Sequence, residues 1–451
     1  MRQRLFAFIV VGLWMLTYQI AAAQPSATEP PVRNGFLGLR QAVEIGIANH
    51  PVLQEGSANV KAAEARTEQT RSLYYPQVFG SVDTASGAGR INPRFLIGGG
   101  LLQPNLSAYS AGVIANQRIY DFGFTKNLVE SNKIAERATA EDLEARRAIV
   151  TVTVQRAYLT SLKRKRLVQI AEETVRERGV IKNQIAALHR QQLKSKLDLD
   201  LVQVELTNAE SLLVKARNDL KASYADLNRA MGVAGAEDYI LEEVSTGVRG
   251  QGTLEGLIND SRAHPELRRA REFTSSAAAR YRAMKKQYLP VVSAMASGGN
   301  YDTFDSSRNV PTGGWWTAGA MLSVPLFTGF AIENQVREAA AQQNAAEAGA
   351  ANIEQALTQQ VTTSYLETIT LAEQIKLAEE QVRTAQEALQ LAKQRYKLGL
   401  GSVVEVTQSE VALTMAQTRL ADVQYDYKIA EVTLAYATAR TSRTLTESGT
   451  P

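Results

Sequence analysis

Apolar residues recur along much of this chain in steps of four and three. Leu371, Ile375, Ala378, Val382, Ala385, Leu389, Ala392 and Tyr396 follow that spacing without a break. So do Leu199, Val202, Leu206, Ala209, Leu213, Ala216, Leu220, Ser223 and Leu227, and again Leu413, Ala416, Leu420, Val423, Tyr427, Ala430 and Leu434. A 3.5-residue period is that of coiled-coil packing, and the many Ala positions let partner helices approach closely. Helix breakers are absent from the same stretches. No Pro lies between Pro104 and Pro265 or between Pro325 and Pro451, and proline costs ~3 kcal/mol inside a helix. The spacing predicts helices from Gly123 to about Gln192 and from Phe330 to Leu398, each ~70 residues and ~100 Å long. Two shorter helices are predicted over Leu39 to Tyr74 and Leu254 to Tyr288. Each stops before a proline, Pro76 or Pro290, because proline disfavours α geometry in the residue before it.

Between these helices the period changes from 3.5 to 2. Val78, Gly80, Val82 and Thr84 alternate with more polar neighbours, as do Ala111, Val113, Ala115, Gln117 and Ile119. Later, Trp316, Ala318, Ala320, Leu322 and Val324 do the same. Eight Gly in 77–123 and six in 291–330 argue against helix there. The pattern predicts two strands of ~10 residues in each segment, with one apolar face. Trp315, Trp316, Tyr120 and Phe327 cluster near strand ends. They suit a sandwich core or a membrane-interface belt.

The two halves repeat each other. His50-Pro51 and Leu53 match His264-Pro265 and Leu267 at an offset of 214. Ile119-Tyr120-Asp121-Phe122 matches Leu326-Phe327-Thr328-Gly329, Tyr158-Leu159 matches Tyr365-Leu366, and Ser195 matches Ser402, all at 207. Two long copies are too few for a solenoid and fit a duplicated half-structure. The organisation expected is a signal peptide over 1–23, a linker over 24–36, repeat one over 37–250 with its strand pair within 77–122, repeat two over 251–440 with its strand pair within 291–328, and a disordered tail over 441–451.

Composition narrows the function. The chain has 451 residues, no Cys and three His, so disulfides, thiolate metal sites and Cys nucleophiles are excluded. His50-Pro51 and His264-Pro265 have the look of helix punctuation. A net charge of +4 does not suit a nucleic-acid binder. No phosphate loop, catalytic triad or zinc motif is present, so neither an enzyme nor a cofactor is expected. Arg2 and Arg4, the apolar run Leu5 to Leu16 and Ala21-Ala22-Ala23 form the three parts of a cleaved signal peptide. No later run is long enough for a helical membrane span.

Four one-sided strands in an exported chain leave open edges, which lipid does not tolerate, and four strands do not close a barrel. Several copies must therefore share one barrel. The order signal peptide, helix, strand pair, long helix, turn and helix, duplicated, closely resembles the TolC family of outer-membrane efflux and secretion ducts. With it come His-Pro at the start of each repeat, Ile119-Tyr-Asp-Phe-Gly123 and Pro325-Leu-Phe-Thr-Gly329. The resemblance covers residues 37–440. It implies a mainly α protein with a small β part. Four strands per chain would enter a 12-stranded transmembrane barrel closed by trimerisation, above an α-helical barrel in the periplasm. It implies a passive exit duct of a tripartite efflux or type I secretion system. The partners would be a homotrimer, a periplasmic adaptor, an inner-membrane transporter of RND, ABC or MFS type, and outer-membrane lipid. The rival is a periplasmic coiled-coil scaffold or adaptor without a pore.

The resemblance also assigns residues. The family's mouth is formed by the turns between long helices. In repeat two that turn holds Tyr396, Gly399, Leu400, Gly401 and Ser402; in repeat one it holds Leu193 and Ser195. These are the expected adaptor-docking residues. An acidic pair that lines the family's constriction falls here on Glu405 and Gln408, so the second acid is missing. A basic residue that the family can use to latch the turn falls on Gly401. Asp198 and Asp200 form or flank the constriction, or else are helix N-terminal charges facing the dipole. Ser402 with Glu405 three residues on also reads as a capping box. Lys163-Arg164-Lys165-Arg166 is expected on a solvated helix face.

Overall fold

The structure, a computed structural model, describes residues 36–86, 96–97, 100–101, 107–234, 239–248, 250, 252–303 and 313–440. The expected signal peptide and tail lie outside the described residues, as does the expected linker up to residue 35; its last residue, Phe36, is described as part of a strand. Eight α-helices are seen among those described: α1 (Leu39–Asn49), α2 (Pro51–Arg71), α3 (Phe124–Arg190), α4 (Lys196–Met231), α5 (Leu254–Ser261), α6 (Pro265–Lys285), α7 (Ala331–Lys397) and α8 (Val403–Ala437). The strands used below are β1 (Phe36–Leu37), β2 (Gln77–Ser86), β3 (Ser107–Tyr120), β4 (Ile240–Leu241), β5 (Val291–Thr303) and β6 (Gly313–Ser323). A two-residue pairing of Leu96–Ile97 with Gly100–Leu101 lies between β2 and β3.

The two long helices come out at 67 residues each, at the predicted places. The two shorter ones do not run through as expected. Each is broken at its His-Pro pair, giving α1 then α2 and α5 then α6. Proline lacks the N–H of a continuing helix and pushes the preceding residue out of α geometry, so His50 and His264 sit at ψ 123° and 135°. Each then caps the next helix. His50 Nδ1 accepts from the Val52 amide and His264 Nδ1 from the Glu266 amide, both at 3.3 Å. A short 3-10 turn, Ser72–Tyr74 or Lys286–Tyr288, then leads into each strand pair.

The strands form one antiparallel sheet in the order β2-β3-β5-β6. Its centre, β3 against β5, joins the two repeats, while β2 and β6 are its edges. Where β3 and β6 return to the long helices, two consecutive residues adopt left-handed backbone. In repeat one these are Phe122 (φ 54°) and Gly123 (φ 90°); in repeat two, Gly329 (φ 60°) and Phe330 (φ 64°). The backbone bend is the same and the Phe and Gly are exchanged.

The predicted coiled-coil seams are the buried ones: Val202 and Ala209 on α4, Ile375, Ala378, Leu389 and Ala392 on α7, and Leu413, Ala416 and Val423 on α8. α3 pairs with α4, α7 with α8, and α3 also packs against α8, which joins the two hairpins. The largest core cluster lies mid-length, where α1 and the parallel pair β1/β4 wrap α3 and α4. Tyr158, fully buried, donates its hydroxyl to Leu37 O (2.8 Å) and Glu242 O (2.9 Å), which fixes that pair to α3. The basic run beside it is only in part the solvated face expected: Arg166 is exposed, but the other three are tied down. Lys163 meets Asp422 and Asp426, Arg164 meets Asp219, and Lys165 meets Glu243 and Leu241 O. These charges tie α3 to α8, α4 and β4.

Candidate functional site: the hairpin tips and the strand face

The two hairpin turns share one geometry, residue for residue, at the 207 offset. α3 and α7 end with a left-handed residue, Gln192 (φ 63°) or Gly399 (φ 72°). The amide after it reaches back to a helix carbonyl: Leu193 N to Leu188 O at 3.0 Å, and Leu400 N to Arg395 O at 2.9 Å. This closure satisfies carbonyls that a helix end leaves orphaned. Gly suits the position because it has no Cβ to clash; Gln192 takes it without that relief. The next helix starts on a serine cap. Ser195 Oγ accepts from Asp198 N (3.0 Å), and Ser402 Oγ accepts from Glu405 N (3.2 Å).

The acidic residues behave differently in the two tips. Asp198 completes a capping box, accepting from Ser195 N and Oγ. Glu405 instead turns to Arg395, with Oε1 3.3 Å from Nε, and Arg395 donates from Nη2 to Leu400 O at 3.3 Å. Arg395 escaped the sequence reading because it lies in the preceding helix, ten residues before its acid. It also explains Gly401. A Cβ there would lie 2.9 Å from Glu405 Oε2 and 3.3 Å from Arg395 Cβ. The space that a basic side chain would need is filled, and the basic partner arrives from Arg395. Asp200 and Gln408 are exposed on α4 and α8.

The tips also touch each other. Ile185, Val202 and Val403 form one buried cluster, with Tyr396 packed on it, which brings α3, α4 and α8 together. Lys194 Nζ sits 4.4 Å from the centroid of the Tyr396 ring, a cation-π contact across the two turns. Beside it a groove of about 910 Å³ runs between α3 and the α7/α8 turn, lined by Gln184, Leu188, Lys393, Tyr396 and Val406 among others. The Tyr396 hydroxyl is buried there without a hydrogen-bond partner. Leu193 and Leu400 point outward at 65% and 70% exposure. The tips thus end in a small apolar surface on a rigid turn.

At the other end, the sheet carries an exposed apolar face. Val78, Val82, Val113, Trp316 and Leu322 lie exposed on it, and the register pairs Trp316 with Gly298 and Leu322 with Val292. Trp315 does not share that face. Adjacent strand residues point to opposite sides, and its ring lies 3.4 Å from where a Gly112 Cβ would stand. It covers the Gly112–Gly299 pair at the β3/β5 centre. Tyr120 joins the apolar side because a register shift between Arg118 and Tyr120 sets it opposite Val292. Phe327 follows β6 at 78% exposure. From Trp316 to Leu322 the strand advances ~20 Å, a large part of a barrel's ~25 Å apolar band.

A duplicated chain with two long helical hairpins at one end, and at the other a sheet too narrow to close on itself but clad in apolar residues, has the architecture of a membrane-embedded duct. The profile of the outer membrane efflux protein family matches residues 43–233 and 258–440, and the chain belongs to that family. It is an outer-membrane exit duct of a tripartite efflux system, with its helices extending into the periplasm, in a family of channel proteins that work with adaptors and inner-membrane transporters. Among its relatives, outer membrane efflux protein BepC of Brucella suis is 20% identical over 87% of this chain and 83% of its own length. Cation efflux system protein CusC of Escherichia coli is 22% identical over 88% and 85%. The fold is shared with a crystal structure of CusC (TM-score 0.77, 19% identity, 90% of this chain and 92% of that one). It is shared also with the open state of the Neisseria gonorrhoeae MtrE channel (TM-score 0.74, 17% identity, 89% and 88%).

Proposed function

We propose that three copies of this chain assemble into a duct with a 12-stranded transmembrane barrel and a helical periplasmic barrel. The observation that carries this is the four-stranded sheet with both edges, β2 and β6, open. Unpaired edges cannot stand in lipid, so β2 of one copy pairs with β6 of the next. The helices support the same arrangement. Leu197, Leu201, Val204 and Leu212 on α4, and Leu366, Ile369, Leu377 and Leu391 on α7, are exposed at heptad-like spacing on the two outer helices of the protomer. They are the seams on which neighbouring copies meet. Trp316, Tyr120 and Phe327 lie at the membrane interfaces.

The periplasmic end is where the duct is gated and where it takes its adaptor. Glu405 and Gln408, with Asp198 and Asp200 beside them, ring the constriction. Leu193, Ser195, Tyr396, Gly399, Leu400, Gly401 and Ser402 receive the adaptor's tips. The inner-membrane transporter, of RND, ABC or MFS type, supplies energy and chooses cargo; the duct is passive. One relative is described as a probable outer membrane lipoprotein, SilC of Salmonella typhimurium. This chain has no Cys to carry a thioether-linked lipid, so its anchorage is the barrel itself.

Planar-bilayer recording on the purified protein tests this, with its mass measured in the same detergent. Discrete conductance steps from a trimer are expected. A folded helical protein that neither inserts nor conducts would overturn the duct.

A further inference from the structure

One charged cluster in the lower helices belongs to neither the tips nor the strand face. Glu410, on α8 just beyond the tip, is 5% exposed. Its Oε1 lies 3.3 Å from Lys393 Nζ on α7, and that atom accepts no hydrogen bond. Lys393 is shared with Glu177 of α3, at 3.9 Å. The neighbouring cation, Arg178 of α3, is committed to α4: it lies 3.0 Å from Glu205 Oε2 and donates to Glu205 O at 2.7 Å. So Glu177 and Arg178 from α3 and Lys393 from α7 act on Glu410 where the two hairpins cross, and Glu205 of α4 is tied in through Arg178. Three carboxyls meet two cations, and one of the three, Glu410, is buried. The cluster is neutral only when it holds one proton.

We propose that Glu410 links closure of the periplasmic tip to protonation: the two hairpins of a protomer pack together with uptake of a proton at this carboxyl, and separate with its release. The proposal rests on the reading of the tip as a gate. Burial raises the Glu410 pKa above the usual glutamate range, and the nearby Glu177 raises it further, against the pull of Lys393 and Arg178. When the hairpins separate, α3 leaves Glu410 and water returns, which restores an ordinary carboxyl. The packed state therefore binds protons more tightly, so acid favours it, and that advantage fades as pH rises through the raised value. The lever acts through a contact between hairpins. At this level Thr174 Oγ1 of α3 lies 3.4 Å from Thr414 Oγ1 of α8.

Planar-bilayer recording of the full assembly at neutral and mildly acidic pH tests it. Open probability should fall on acidification, because the packed state takes up the proton. Glu410→Gln, a permanent stand-in for the protonated acid, should hold the low value at both pH values. Lys393→Met, which removes the cation, should move the response toward neutral pH, and it serves even if the first variant fails to fold. The chain has no Cys, so Thr174→Cys with Thr414→Cys gives a hairpin lock whose oxidised form should lose the pH response. A pH response that survives in Glu410→Gln, or stays unmoved in Lys393→Met, overturns the proposal and leaves the duct standing. Absence of current at every pH overturns the duct and the proposal together.

Discussion

Gln192 and Gly399 stand 207 residues apart and hold the same left-handed backbone, at φ 63° and 72°. One turn geometry is thus built twice, once with the residue that suits it and once without. A non-glycine residue in this region costs on the order of 1 kcal/mol. Gln192→Gly should therefore stabilise the first tip by about 0.5–1 kcal/mol, and Gly399→Val should destabilise the second by 1 kcal/mol or more. Native-state hydrogen exchange of the amides around each turn measures both. Equal protection in wild type and Gln192→Gly would remove strain from the first tip.

The Arg395–Glu405 pair is half exposed, so its worth to overall stability is small, at most about 1 kcal/mol. Its effect should show in conduction instead. Glu405→Ala removes a carboxylate from the proposed constriction and frees Arg395, so conductance should rise or cation preference fall. Arg395→Ala frees the carboxylate and should raise cation preference. Unchanged currents and selectivity in both variants would take the pair out of the gate.

Tyr158→Phe leaves Leu37 O and Glu242 O without the hydroxyl that serves both. One hydroxyl proton is shared between the two carbonyls, and Leu37 O keeps the Glu242 amide, so loss of the hydroxyl should cost about 1 kcal/mol. The loss falls on the β1/β4 pair, so limited proteolysis should speed up near residues 242–248, and the unfolding midpoint should drop with it. Unaltered cleavage would mean that the hydroxyl holds nothing.

His264 is fully buried, with its ring edge-on to Tyr436 at 5.0 Å. Burial, with a smaller push from Arg268, lowers its pKa from 6.5 to about 4. The fold keeps it neutral, so its contribution is complete above pH 6.5 and is lost as pH falls toward 4. The full loss is about 3 kcal/mol. His264→Asn keeps a capping acceptor without the titration, so urea unfolding of that variant should depend less on pH across this window. An identical acid limb would point elsewhere. This effect opposes the one at Glu410, and the two are separable, because unfolding reads the first and tip opening the second.

The repeat, the long helices and the strand segments were legible because their signals are periodic and local. The His-Pro breaks were half legible. The residues were recognised as punctuation, yet helix was expected to continue through them, since apolar spacing runs on after Pro51 and Pro265. The tips were placed by resemblance, and the serine caps by spacing. What stayed hidden depends on partners from other elements. Arg395 meets Glu405 only once the turn closes. Glu410 is buried only once α3 lies across α8, and nothing in its neighbours along the chain marks it as interior. Trp315 and Trp316 both lie near a strand end in sequence, but a strand sends neighbours to opposite sides, and which side each takes is set by the register. Lys163, Arg164 and Lys165 read as solvated because the acids they meet are up to 263 residues away.

Duplication also sets the symmetry of the mouth. In the proposed trimer, three chains would bring six helical hairpins to one ring, and those hairpins would be of two kinds in strict alternation. One kind closes on glutamine and keeps its acid in a capping box. The other closes on glycine and clamps its acid with an arginine. Six separate copies of a single repeat could build the same walls, but every tip would then be identical and bound to move alike. Fusing two repeats in one chain lets the two kinds of tip differ, so that in the proposed trimer one set of three could move while the other three stay as its frame.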